Sequence, residues 1–320
     1  MTDTNRVSLS IVEESTWGTT PTSGAYKPVR STGESLTFNV TNTQSDEIRA
    51  DRNVADIIRT DASTSGDINF ELSYAGEVSS GVNHAFDDIL EGVMCSDWNA
   101  DVIKNGTTLK SYSVQKFFAD ATDGKYHTFD GCRFDNFNLS LQAGSIITGS
   151  VGLQGQGITV GETTVASSGT PTAATTTDVM NAINNVGTLQ EGGNTLSDQI
   201  MSLSVTITNN LRTNQAIGQL GASRIGLGQF VLTGTMSIYF ANKTLFNKFV
   251  NGGSGDVSSL NFRTSDLAGN YYNFLIPKIE YVSGSVLAGS ANADVMAEIG
   301  FQAKFDSSEA CTLKITRNTA

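Results

Sequence analysis

The chain has 320 residues, a formal net charge of −12, 38% hydrophobic residues and 32 glycines. That length suits one large domain or two ordinary ones, and a Thr-, Ser-, Asn- and Gly-rich palette belongs to short strands and turns rather than long helices. The negative charge argues against an ordinary nucleic-acid binder, which gains by releasing counterions from phosphates, and no apolar run approaches the ~18–20 residues of a membrane-spanning helix.

The first fifteen residues, MTDTNRVSLSIVEES, hold no basic region followed by an apolar one, so the expectation is a soluble cytosolic chain without a secretory leader. Period-two alternation then dominates. It places Leu36, Phe38 and Val40 on one face of a first strand. A long charged stretch follows, residues 45–66, in which Asp46, Glu47, Arg49, Asp51, Arg52, Asp56, Arg59 and Asp61 mix both signs. It joins two strands yet far exceeds a hairpin turn, and loops of that length usually carry a function. The plainer expectation is a mobile surface loop; the sharper one is an arm that grips a neighbouring subunit, with alternating charge setting the register. The next strand alternates Ile68, Phe70, Leu72 and Tyr74 with Asp67, Asn69, Glu71 and Ser73. Phe86, Ile89, Leu90, Val93 and Met94 then form one helical stripe. Further strands put Phe137, Leu139 and Leu141 on one face, and later Met201, Leu203, Val205 and Ile207. FVLTGTMSIYF and YYNFLIPKIEYV are strand candidates too. A shorter stripe, Leu245, Phe246, Phe249 and Val250, predicts a second helix capped by Asn242 and stopped by Gly252 and Gly253.

Several of these phrases occur twice. VGLQG at residues 151–155 returns as IGFQA at 299–303, YHTF at 126 as YYNF at 271, and AGS at 143 as AGS at 288. Leu36 aligns with Leu203, Ser65 with Thr233 and Phe86 with Phe246. Six matches in one order predict an internal duplication. The boundaries are a first β unit over 1–156, a connecting segment over 157–199 and a second β unit over 200–320. The Thr-rich run 157–178 reads as exposed linker, part of which can pair as an edge strand. The second unit repeats the long inter-strand stretch, with Arg212 and Arg224 as its charged members. Gly152 and Gly300 mark places of close packing or bending within strands.

No catalytic or metal-binding constellation emerges, and no cofactor is expected. His84 and His127 stand outside metal spacings, and GLQGQG follows a strand without opening a helix. Cys95, Cys132 and Cys311 are odd in number and far apart, which predicts free, buried or half-buried thiols in a reducing compartment. The four N-x-S/T sites, at Asn39, Asn105, Asn138 and Asn242, are what an Asn- and Thr-rich chain produces by chance.

The order TWGTTP, STGESL, EIRADRNVADIIRT, SGDINFELSY, an amphipathic helix and AGSIITGS, continued by TITNNL, GNYYNFLIPKI and ITR, resembles the tail tube (major tail) proteins of long-tailed bacteriophages. The resemblance covers nearly the whole chain and rests on order rather than on one motif. It implies a mainly β fold with two short helices: tandem sandwich or partial-barrel units that complete a closed β-barrel on oligomerisation. It also implies a non-enzymatic virion protein, assembled in the host cytoplasm, whose rings stack into a conduit for DNA ejection. Implied partners are further copies of the chain, the tape measure protein, the tail terminator and tail-tip proteins, with DNA passing without sticking and no membrane insertion. Two units per chain favour rings of three chains over six. Asp67, Asn69, Glu71 and Ser73 suit a lumen wall. The alternative is a tail-tip, fibre or adhesin-type β-sandwich binding module.

Overall fold

The computed structural model describes residues 3–79, 82–165, 173–196, 200–241, 243–251 and 258–318. The fold is mainly β. In chain order the early strands are β1 (Val7–Glu13), β2 (Lys27–Val29), β3 (Gly33–Glu34), β4 (Thr37–Gln44) and β5 (Ile57–Glu71). A short hairpin of β6 (Glu77–Ser79) and β7 (Val82–Asn83) leads into helix α1 (Ala85–Met94). Next come β8 (Val102–Lys104), β9 (Tyr112–Phe118), β10 (Tyr126–Gln142), β11 (Thr148–Gly155) and β12 (Gly157–Gly161). The second half begins with β13 (Val186–Glu191), β14 (Asn194–Thr195), β15 (Ile200–Thr208), β16 (Arg212–Gln215), β17 (Ala222–Gly226) and β18 (Val231–Tyr239). Helix α2 (Thr244–Val250) precedes β19 (Ser258–Ser265), β20 (Tyr271–Leu287), β21 (Met296–Ala303) and β22 (Lys314–Asn318).

One antiparallel sheet of eight strands crosses the whole molecule. Its order is β4–β5–β11–β10–β15–β18–β21–β20. The first four strands come from the first half and the last four from the second. The two quartets have the same internal order and meet where β10 pairs with β15, Asn136 opposite Thr208 through Gln142 opposite Ser202. The sheet does not close on itself: one outer edge is β3 continuing into β4, and the other is the last half of β20.

β10 and β20 are both 17 residues long because each serves two sheets. The first half of β10 pairs with β9 and β12, beyond which lie β1 and β2. The first half of β20 pairs with β19 and β22, which extend to β13 and β8. Each strand crosses to the large sheet at a bulge, after Phe134 in β10 and after Tyr281 in β20. A bulge inserts one extra residue and bends the strand, so in β10 the buried positions pass from Phe134 to Phe137, Leu139 and Leu141.

The alternating apolar positions face inward as their spacing dictates. Ile68, Phe70, Leu72 and Tyr74 are buried, as are Phe137, Leu139, Leu141, Leu203, Val205 and Ile207. Met201 is exposed, because the β15–β18 register shifts between Ile200 and Ser202 and moves it off the inner face. α1 lies on the dry side of the first quartet, its Phe86 ring edge-on to Phe70 at 5.1 Å. It ends at Cys95, which takes the left-handed conformation (φ 49°) and donates its N–H to the Glu91 carbonyl. α2 lies on β20, with Phe249 against Gly284. Lys243 occupies its N-cap position without a side-chain cap; the predicted caps Asn242, Gly252 and Gly253 fall outside the described residues. The connecting segment is not featureless, for β12 and β13 both lie within it and join the second layer of each half. Cys95, Cys132 and Cys311 are free and buried.

The register refines the repeat. Gly152 sits opposite Asp67 and Gly300 opposite Thr235, so Asp67 corresponds to Thr235 (235 − 67 = 168). Ser35 hydrogen-bonds across to Asp67, as Ser204 pairs with Thr235, so Leu36 corresponds to Val205 rather than Leu203. Likewise Asn136 corresponds to Ser283 (283 − 136 = 147). Gly152 and Gly300 are central-strand positions on the sheet's outer face. A Cβ at Gly152 would meet the Asp67 carboxylate at 2.7 Å, and one at Gly300 would run into the Ser283 hydroxyl.

Candidate functional site

The two outer edges of the large sheet are the first candidate surface. An edge strand presents unpaired N–H and C=O groups and invites another strand. Here the edges are of the two kinds that already meet inside the chain. β10 and β15 form the internal joint; β20 is the counterpart of β10, and β4 the counterpart of β15. Neither has a partner on its outer side among the described residues.

The outer face of the same sheet is the second. It carries Ser, Thr, Asn and Gln at alternate positions, including Asn138, Ser140, Ser150, Ser204, Thr206 and Thr235. No lysine or arginine occurs in Thr37–Gln44, 63–71, 136–142, 148–153, 202–208, Val231–Tyr239, 283–287 or Met296–Ala303. Asp67, Glu71 and Glu298 supply negative charge there. Asp67 and Asn69 are exposed and Glu71 half-buried, so these three share the face that their spacing gives them. Ser73 lies past the end of β5, buried, bridging to Val179.

The third candidate is a pair of arms. β4 and β5 continue beyond the sheet as a hairpin, on which Asp46, Glu47, Arg49, Asp51, Arg52, Asp56 and Arg59 are exposed and Asp61 half-buried. Arg49 grips Asp51 at 2.9 Å within the tip. Ile48, Val54, Ile57 and Ile58 stand exposed beside these charges. The second arm is the β16–β17 hairpin, carrying exposed Arg212 and Arg224. It folds back on the first quartet instead of projecting. Asn209, buried, donates its amide to the Val93 and Phe134 carbonyls, and Asn210 turns the chain with φ 50°. Sequence reasoning named the charges of both arms but missed their apolar residues, which follow no strict period.

Carboxyls raised by burial lie on α1 and β10. Asp87 is fully buried, accepts from the Tyr272 hydroxyl at 2.6 Å and pairs with Arg317, whose guanidinium lies 4.4 Å from the Trp98 ring centre. Burial pushes the Asp87 carboxyl up to about 7, against the opposing pull of Arg317 and the Tyr272 hydroxyl. Burial likewise raises Asp88 to about 6 against Lys27. Burial, then the nearby Glu14 charge, raise Asp130 to about 6. Asp87 and Arg317 join the first helix to the last strand and brace the two halves. His84 flanks α1, and His127 packs its ring on Phe118 at 4.9 Å. Burial lowers the pKa of both histidines. Among the described residues no group of three or more His, Cys, Asp or Glu converges as a metal site. No described helix is long and apolar enough to cross a membrane.

No curated protein gives a significant sequence match. The sequence profile of the phage tail tube proteins matches residues 4–303, nearly the whole chain, and with it come a structural role and a place in the virion tail. The chain belongs to the phage tail tube protein family.

Proposed function

We propose that three copies of this chain join edge to edge into a ring, that rings stack into the tail tube, and that the outer face of the eight-stranded sheet becomes the wall of the lumen through which DNA leaves the capsid. The observation that carries this reading is the β10–β15 joint. It links two like quartets, and the same operation carried onward brings β20 of one copy to β4 of the next. Transferring the register predicts Ser283 opposite Asn39, Gly284 opposite Phe38 and Ser285 opposite Thr37. Closure removes both exposed edges, and a ring of such head-to-tail contacts is finite while stacking stays open. Six quartets then need three chains, with residues 1–156 and 200–320 each supplying one unit.

A lumen face with carboxylates, hydroxyls and amides and no cation repels the phosphate backbone and gives it nothing to release counterions to. Asp67, Asn69 and Glu71 are its acidic and polar members from β5, and the charged arm packs on neighbours. The tape measure protein would occupy the lumen before ejection, and the terminator and tail-tip proteins would cap the two ends. Assembly takes place in the host cytoplasm. Nothing in this role calls for catalysis. Negative-stain microscopy of concentrated protein tests the reading: hollow tubes or rings support it, and monodisperse monomers at high concentration refute it.

A further inference from the structure

The two arms are one hairpin written twice. Gln44 pairs with Ile57 in the first, and Thr213 pairs with Ile225 in the second. The offset that relates the sheets relates the arms too: 225 − 57 = 168, and 222 − 54 = 168. So Ile57 corresponds to Ile225 and Val54 to Ala222. Their surroundings are opposite. Ile225 is 1% exposed and Ala222 3%, whereas Ile57 is 62% exposed and Val54 53%.

Ile225 and Ala222 are buried because the second arm leans back over the quartet that precedes it. Arg133, stacked over Trp17 at 5.5 Å, donates to the Ile225 carbonyl. Gln156 donates its side-chain N–H to the Ala222 carbonyl at 3.1 Å. The Thr213 hydroxyl donates to the Gln154 side chain at 3.2 Å, and the Leu211 N–H donates to Asp135 at 3.0 Å. The first arm has no preceding quartet in its own chain. The quartet that would precede it, after β4 pairs with a neighbouring β20, is the second quartet of that neighbour.

We propose that Val54 and Ile57 are buried, in the assembled protein, against the second quartet of the adjacent copy, on a seat formed by Val282, Gln302 and Lys304. These residues correspond to Asp135, Gln154 and Gln156 of the second arm's seat; its fourth member, Arg133, corresponds to Glu280 (280 − 133 = 147), which pairs with Lys304. In the single chain that seat is uncovered: Val282 is 56% exposed, and Lys304 makes an exposed ion pair with Glu280. Its chemistry matches the first arm. Val282 stands where the first quartet offers the Asp135 carboxylate to the Leu211 N–H, and it adds an apolar surface beside the exposed arm. Lys304 reaches the Val54 carbonyl as Gln156 reaches that of Ala222. An exposed apolar arm facing an exposed apolar bulge removes both from water.

This inference rests on the self-assembly proposed above, and the test separates the two. Tubes are grown from equal parts ¹⁴N- and ¹⁵N-labelled chain carrying the photo-cross-linker benzoylphenylalanine at Ile57, irradiated and digested for mass spectrometry. The expected products are mixed-isotope peptides joining the first arm to residues 280–283 or 302–305. Products confined to one isotope, or landing on the first quartet, overturn the contact while leaving assembly standing. In the unmodified protein, acetylation of Lys304 is expected to slow at least tenfold on passing from monomer to tube, and equal reactivity overturns the contact. Failure of the unmodified chain to form any tube removes the self-assembly reading itself, and this contact with it.

Discussion

Truncating the same isoleucine in the two arms should give opposite phenotypes. Ile57→Ala removes a side chain that is 62% exposed in the single chain and touches no core. The monomer should keep its thermal midpoint. Fully burying an isoleucine stabilises by about 1.5–3 kcal/mol, so covering the part now in water contributes about 1–2 kcal/mol per arm. That is about 5–30-fold in the concentration at which tubes first sediment, since about 1.4 kcal/mol is tenfold. Ile225→Ala instead opens a hole under a side chain that is 1% exposed. Such truncations cost about 2–5 kcal/mol, and the loss falls on the seat of one hairpin. It should appear in the monomer as faster amide exchange over residues 212–226. The assays are sedimentation against concentration for tubes and hydrogen exchange for the monomer. An Ile57→Ala chain that assembles at the wild-type concentration refutes the reasoning, as does an Ile225→Ala monomer with unchanged exchange.

Three further outcomes are expected. Arg49→Glu or Arg52→Glu should block polymerisation and leave the monomer folded, because both residues are exposed on the arm; tube formation in both variants at wild-type yield removes these charges from the interface. Asp87→Ala leaves the buried Arg317 only the longer contact to the exposed Asp101, at 3.5 Å, and should cost about 3–5 kcal/mol by urea unfolding. Asp87→Leu combined with Arg317→Met should recover most of that loss, and a single variant as stable as the parent contradicts the brace. The carboxyl of Asp130 is held above its unfolded value, so the folded chain binds more protons than the unfolded one between about pH 4 and 6. Its contribution therefore favours folding more as pH falls through that window. Asp130→Asn should raise the thermal midpoint at pH 7.5, with the gain shrinking towards pH 4; a gain independent of pH rules out the burial account.

The strands and their faces were legible because a half-buried sheet writes its pattern at period two. Phe70, Leu139 and Val205 lie inward as their spacing requires. The repeated phrases were legible as well, but their register was not. The sequence match set Leu36 against Leu203, and the ladders set it against Val205. A slip of two residues leaves every side chain on the same face, so alternation cannot detect it. Met201 eluded the pattern for a related reason, a local irregularity that no period encodes. Ser73 alternates correctly with Glu71 but lies beyond the strand's end. The charged arm announced itself by composition, whereas the pairing of Ile57 with Ile225 needed the structural offset. The buried Asp87–Arg317 pair was invisible, since 230 residues separate its members.

The central claim is that the internal joint between quartets is the template for joints between chains. The mass of a single ring, from scanning transmission microscopy of tubes sheared to short stacks and divided by ring number, tests it most directly. Three chains per ring, each 33.9 kDa, is the predicted result. Six chains per ring would mean that the whole eight-stranded sheet is one unit, and would contradict the account.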